Sequence, residues 1–495
     1  MISRRGLLAS PSAALAGTCS TVMRDGVAAI RRQVWSVAGQ SERTLLLGTC
    51  LLAFTFSGAV SYVLAQYYSI DVLSSVYAQP QDCIAPWGMG IGGRHCFGDY
   101  PIIGSLTQRS NPWDPVWLPL GGPPYRPLRN EYPAAAMTPH LLFWTLGNWF
   151  GSPQLGLLIA LIVLTVAVLT PAVWAVRGAR GVERVVVFMV CGAVAFPAWL
   201  VVDRGNSVGL LAPISLGFLL ALSKRRWRVV AVVVMLGALV KPQFAVLVVV
   251  LFMARHWRLG ALTVAGVLVT NIAAYLLWPN DFPGTIGQSI HNVLGYTAWG
   301  QIWSWDNVSF AGGLMFAGRT LARAVGVHGE AMNFLNHPGL VVGYVILAVF
   351  VGSLVALGRR MDPVMAGIVL LATASLFPPL SYSYYLVFAL PVAALVVRHP
   401  DGPPNSGMFD RLVTLGDQRR AVGICTILSV AISIVGIPMP YRSLHAVTLA
   451  GSTIQVVPTA AILAPLAWLI TCSAIIVSYA RRPALHDEAK TVSGG

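Results

Sequence analysis

Two ionisable residues at the edges of apolar segments are the first to weigh for chemistry. Asp99 lies in Cys96-Phe97-Gly98-Asp99-Tyr100-Pro101, just beyond a long hydrophobic stretch, and Lys241 follows the apolar run Val229–Val240 and precedes Pro242. Charges at membrane depth are costly and are usually kept for function. A positioned carboxylate can take a proton, and an ammonium can hold a phosphate. Asp203-Arg204 is a second such place, read either as functional or as an exposed pair in a tight turn.

Polar and aromatic residues accompany them. After Asp99 come Asn111-Pro112-Trp113-Asp114-Pro115 and Glu131-Tyr132-Pro133, with Trp and Tyr suited to the headgroup level of a bilayer. The stretch Trp299–Ser309 sets Trp303 and Trp305 beside Asn307 and Ser309. Apolar C–H faces of a sugar can stack on such rings while its hydroxyls find amides. Tyr384 and Tyr385, behind Pro378-Pro379, offer hydroxyls for a phosphate or sugar, although paired prolines also serve simply to break helices.

The chain that carries these groups has 495 residues, of which 56% are hydrophobic and 10% charged. That leaves too few charges to cover a soluble globule of this size. The net charge of +15 does not point to nucleic acid, because the basic residues fall in short clusters between apolar runs. They are Arg177, Arg180 and Arg184; Lys224, Arg225, Arg226 and Arg228; Arg255 and Arg258; Arg359 and Arg360; Arg419 and Arg420; Arg481 and Arg482. This is the pattern of cytoplasmic loops.

With those clusters inside, spans are expected near 44–67, 153–176, 184–202, 206–223, 259–278, 338–358, 363–378, 381–398, 421–438 and 459–480. Segment 229–254 reads as a tight hairpin turning at Lys241-Pro242, the alternative being one tilted helix. The expectation is an all-α polytopic membrane protein of about twelve passes. Both termini lie inside, and Asp99, Arg204, Asn307 and Tyr385 share the external face. The domains read as an N-terminal cytoplasmic extension at 1–43, a core at 44–398, a cytoplasmic linker at 399–420, C-terminal helices at 421–480 and a tail at 481–495. Of the 7 cysteines, Cys83 and Cys96 share an external loop, either disulfide-bonded or as two free thiols; Cys50, Cys191, Cys425 and Cys472 sit in apolar runs as inert thiols.

Taken in order, these segments resemble bacterial glycosyltransferase family 87. Asp99 with Asn111–Asp114 and Tyr132-Pro133 resembles its first external loop. Gly205-Asn206-Ser207, the basic loop 224–228 and Leu236–Pro242 resemble its central segment, which ends at Arg255-His256-Trp257-Arg258. Asn307–Ser309 and Pro378–Tyr385 match two later signatures, and the resemblance covers roughly 44–400. It implies a GT-C fold with a large first external loop, in the plasma membrane and with its site facing outward. It also implies inverting transfer of a mannosyl or arabinofuranosyl residue from a polyprenyl-phosphate sugar to an envelope glycan or glycolipid. Tyr384-Tyr385 stands where mannosyl members carry His, which leaves the sugar open.

On this reading Asp99 is the general base. Lys241, Arg204, Tyr384, Tyr385, Asn307, Trp305, Asp114 and Tyr132 contact substrate. No dense carboxylate cluster marks a metal site, so no cofactor is expected, with a divalent metal left open. The rival reading is a lipid-linked sugar transporter or flippase, for which a broken helix bearing Lys241 is equally natural; no internal repeat was found to support it. A non-catalytic scaffold leaves the external polar clusters without a purpose.

Overall fold

The computed structural model of the chain describes residues 40–68, 97–116, 129–296, 307–326, 339–398, 418–442 and 454–481. Cys83, Cys96, Trp305, residues 1–39 and most of the 399–420 linker lie outside the described residues.

Helix α1 spans Glu42–Tyr68, α2 Asp99–Thr107, α3 Ala134–Trp149 and α4 Pro153–Val176. Helix α5, Val182–Phe188, runs through a π turn into α6, Phe196–Arg204, and a 3₁₀ turn at Ser207–Leu210 opens α7, Leu211–Ser223. Helix α8 is Trp227–Val240; a 3₁₀ segment at Pro242–Val248 then leads into α9, Val249–Met253. There follow α10 (Trp257–Ala274), α11 (Gly284–Tyr296), α12 (Phe310–Ala324), α13 (Gly339–Leu357) and α14 (Pro363–Leu376). A 3₁₀ turn at Ser383–Phe388 opens α15 (Ala389–Val397), and α16 is Gln418–Ile434. Strands β1 (Pro438–Arg442) and β2 (Ile454–Pro458) precede α17 (Thr459–Arg481). The strands pair antiparallel, Pro438 opposite Pro458, so the 439–458 segment carries a small ribbon that an all-α reading did not foresee.

Among the described residues, five helices are long and apolar enough to cross a membrane: those at Glu42–Tyr67, Pro153–Val176, Trp257–Leu277, Val341–Arg360 and Thr459–Arg481. A sixth is added if Val182–Ala193 and Phe196–Arg204, bent by 45°, count as one span. The other segments expected to span carry apolar helices of 10–17 residues, shorter than a membrane crossing by this measure. Every residue of Val364–Leu376 and of Ala389–Val397 is buried, so α14 and α15 form the centre of the bundle instead of its lipid-facing surface. Helix α15 packs on α1, α4, α7 and α16, and α14 packs on α7 and α17.

The chain reverses at Lys241-Pro242. Proline forces the preceding residue out of helical geometry, and Lys241 is extended at φ −147°, ψ 114°. The two arms then return side by side, bringing the Trp227 ring 4.9 Å from that of His256. The break is thus a hairpin, not a single tilted helix.

A smaller core lies beside the main one, built on Trp113, which is fully buried with Ile103, Leu106, Tyr132, Met137, Tyr275 and Trp278. The Trp113 indole N–H donates to the Tyr132 carbonyl at 3.0 Å. Its ring lies 5.0 Å from Tyr275 and 5.7 Å, edge-on, from Trp278. The Asn292 amide donates to the carbonyls of Trp113 and Asn130 at 3.0 and 3.2 Å. This cluster fixes the chain around Tyr132. Trp113→Ala is expected to cost about 3–5 kcal/mol, the range for emptying a large aromatic site, and Trp113→Phe less. Thermal unfolding of the purified variants in detergent checks the order.

Candidate functional site

The site forms where three backbone breaks meet. Helix α6 ends in a left-handed Gly205 at φ 63°, a conformation glycine adopts at little steric cost. A β-carbon there would meet Tyr100 Cβ at 2.8 Å, so the first turn of α2 sits directly against this glycine. That apposition brings Asp99, at the start of α2, to Asn206. The Asn206 amide donates to Asp99 Oδ2 at 2.7 Å and to the Tyr132 hydroxyl at 3.1 Å. Its oxygen accepts from Val208 N–H at 2.9 Å, capping the 3₁₀ turn that opens α7. Asn206 is fully buried, and each side-chain group is committed.

The second break supplies Lys241, which is 6% exposed. Its ammonium lies 4.0 Å above the Tyr132 ring and 5.9 Å from that of Tyr385. Tyrosine faces are electron-rich and attract a cation most when water is excluded. Tyr132 therefore joins the two charged residues: its face holds Lys241, and its hydroxyl reaches Asp99 through Asn206.

The third break presents Tyr384 and Tyr385, whose rings lie 5.2 Å apart. Gln243, in the Lys241 turn, lies within hydrogen-bonding reach of the Tyr385 hydroxyl. Asn307 shapes this turn. Its Oδ1 accepts from the N–H groups of Ser309 and Ser381, both at 3.0 Å, and its Nδ2 donates to the Pro379 carbonyl at 3.0 Å. The Ser309 hydroxyl donates to the same carbonyl at 3.1 Å. Asn307 thus builds the tyrosine turn, a task its place in the aromatic stretch did not announce.

Of the remaining sequence candidates, one belongs to the neighbouring core, one ends the helix at the first break, and one is not described. Asp114 accepts from the Gln288 amide at 2.9 Å and belongs to the Trp113 cluster against α11. Arg204, in the last turn of α6, is 7% exposed, which removes the reading of Asp203-Arg204 as a simply exposed pair. Trp305 lies outside the described residues. Among the described residues no group of three His, Cys, Asp or Glu side chains could hold a metal.

Two titratable residues at the site had no role assigned from the sequence. Burial, and then the charge of Asp99, push Glu131 up from 4.5 to about 7, against a smaller pull from Lys241. Burial, and then the charge of Lys241, push His140 down from 6.5 to about 4. The His140 ring lies 6.3 Å from those of Tyr100 and Tyr132. Tyr132 is raised well above the ordinary phenol value, chiefly by burial and then by Asp99. Around neutral pH the hydroxyl of Tyr132 therefore keeps its proton and His140 is neutral. Glu131 had stood beside Tyr132 in plain view; its signal lay only in the folded proximity to Asp99. In comparisons with known proteins, no family model and no curated sequence matches the chain.

Glu131 and His140 pull stability in opposite directions with pH. A carboxyl raised in the folded state stabilises fully below its unfolded value, and that contribution is lost as pH rises from about 4.5 to about 7. A histidine lowered in the folded state contributes fully above 6.5 and loses this as pH falls toward about 4. Glu131→Gln removes only the first effect. Its melting temperature, relative to the parent protein, is expected to rise steadily between pH 4.5 and 7 and then level off. Differential scanning fluorimetry across that range is the check, and a difference independent of pH contradicts the assignment.

Proposed function

We propose that the protein is an integral-membrane glycosyltransferase of GT-C type. In this reading it transfers a mannosyl or arabinofuranosyl residue from a polyprenyl-phosphate sugar to an envelope glycan or glycolipid at the outer face of the plasma membrane. The observation that carries the proposal is the joining of one carboxylate, Asp99, and one buried ammonium, Lys241, through Asn206 and Tyr132. A carboxylate and a cation so placed fit the two charge demands of displacement at an anomeric carbon.

The acceptor hydroxyl oxygen attacks that carbon from the face opposite the phosphate. Its proton passes to Asp99 as the new C–O bond forms, and the bond to the phosphate oxygen breaks with its electron pair leaving on the lipid phosphate. Inversion follows from attack opposite the leaving group. A phosphate leaves readily without being protonated, so the useful contribution from Lys241 is a positive charge where negative charge grows. Burial strengthens that attraction by excluding water. Tyr384 and Tyr385 line the same place with hydroxyls, and Arg204 lies two residues from Asn206 as a further cation for the phosphate.

The second reading, a carrier for a lipid-linked sugar, draws on the helix broken at Lys241. The two differ in product. A carrier returns its substrate unchanged, whereas a transferase releases lipid phosphate and extends an acceptor.

Purified protein supplied with radiolabelled polyprenyl-phosphate mannose or arabinofuranose, and with a glycolipid acceptor fraction, is expected to yield labelled glycan. Asp99→Asn keeps size and polarity but cannot accept the proton, and turnover is expected to fall by about 10²-fold or more with donor binding retained. Near-normal turnover in that variant moves the proton acceptor to Glu131. Lys241→Met keeps the apolar stem without the charge and is expected to weaken donor binding and turnover together in a well-expressed protein. Unchanged donor affinity removes Lys241 from the phosphate site.

A further inference from the structure

The opposite end of the Lys241 hairpin carries two turns that share a sequence pattern and a shape. Arg225-Arg226-Trp227-Arg228 and Arg255-His256-Trp257-Arg258 lie thirty residues apart and share the pattern Arg-x-Trp-Arg. Each first arginine is left-handed, Arg225 at φ 49° and Arg255 at φ 61°. Each second residue then has nearly the same backbone, φ −85°, ψ 72° at Arg226 and φ −87°, ψ 55° at His256. The backbone bonds correspond as well. Arg225 and Arg226 N–H donate to Leu222 and Ala221, and Arg255 and His256 N–H donate to Phe252 and Leu251, all at 2.8–3.0 Å. Glycine suits a left-handed position best, yet both turns place arginine there.

The turns stand side by side, with Trp227 against His256 at 4.9 Å. A third basic turn joins them, since the Arg359 guanidinium donates to the Ala254 carbonyl at 3.4 Å. Lys224, Arg225, Arg226, Arg228, Arg255, Arg258, Arg359 and Arg360 are all exposed. No acidic residue occurs in 221–228, 251–258 or 357–360, and Asp362 spends one oxygen capping the N–H groups of Val364 and Met365. Trp257 is 59% exposed, beside outward apolar residues such as Leu262 at 69% and Val232 at 56%. Helix α8 has 14 residues, so this end lies about 21 Å from Lys241.

We propose that the paired Arg-x-Trp-Arg turns form a binding site for the phosphodiester headgroup of an anionic phospholipid, distinct from the Asp99–Lys241 site. Cations alone serve membrane orientation. The duplicated geometry goes further: it sets two guanidinium-bearing turns side by side, next to an exposed tryptophan, a residue that favours the level where headgroups meet acyl chains. Guanidinium groups match phosphate oxygens in pairs, and the apolar flanks of α8 and α10 accept the chains.

Full-length protein in detergent, titrated with dioctanoyl phosphatidylglycerol and followed by native mass spectrometry, tests this. The double variant Arg225→Gly/Arg255→Gly removes two guanidinium groups while giving the left-handed positions the residue they favour, so its melting temperature is expected to match or exceed the parent's. Its affinity for phosphatidylglycerol is expected to fall by about tenfold. Binding of dioctanoyl phosphatidylcholine is expected to stay weak throughout. The control Arg177→Gln/Arg180→Gln, at another basic turn, is expected to bind phosphatidylglycerol as the parent does. Should the glycine pair fail to fold, Arg228→Gln/Arg258→Gln is read by the same standard. Unchanged affinity in the turn variants, an equal loss in the control, or complete displacement of the lipid by equimolar inorganic phosphate each overturns the proposal.

Discussion

A lysine with 6% of its surface exposed needs compensation for the water it has lost. The Lys241 ammonium finds it 4.0 Å above the Tyr132 ring, in the field of Asp99 and Glu131. Much of the surrounding structure serves that placement. Pro242 ends the helix and turns the lysine into the bundle, and the Trp113 indole grips the Tyr132 carbonyl. Asn206 then ties the hydroxyl of the same tyrosine to Asp99. One ring thereby sets the separation of a cation and a carboxylate that belong to distant parts of the chain.

The residues arrive there on broken helices. Gly205, Lys241-Pro242 and Pro378-Pro379 each end an apolar helix inside the bundle, and each break turns polar groups toward the others. Unpaired backbone at such breaks is costly away from water, and side chains relieve it: Asn206 caps one break, and Asn307 stitches another. The two asparagines are matched devices, neutral and buried, holding charged or phenolic neighbours in place. The fully buried helices α14 and α15 supply the rigid wall behind them.

The sequence made part of this legible. Asp99, Lys241 and the Tyr384-Tyr385 pair announce themselves because charges and hydroxyls beside long apolar runs are conspicuous. The helix positions follow from apolar length, and the hairpin from Lys241-Pro242. Asn206 was visible only as part of a short Gly-Asn-Ser turn, since a neutral amide carries no chemical signal until its two partners are folded against it. His140 was hidden within a moderately apolar stretch. Asn307 drew notice for its aromatic neighbours, whereas its fixed contacts are with the Pro379 turn. The duplicated Arg-x-Trp-Arg turns escaped because four residues recurring once leave no periodic trace; their likeness lies in backbone angles.

In the proposed function Asp99 and Lys241 act on one substrate from two sides. The most direct measurement is an electron cryomicroscopy structure of the protein with an unreactive polyprenyl-phosphonate analogue of the sugar donor. A phosphonate oxygen is expected within about 3 Å of the Lys241 ammonium, the distance of a charged hydrogen bond. The anomeric carbon is expected to face Asp99, with room between them for one hydroxyl oxygen. An analogue whose phosphonate lies away from Lys241, or whose anomeric carbon is turned from Asp99, contradicts the proposed function.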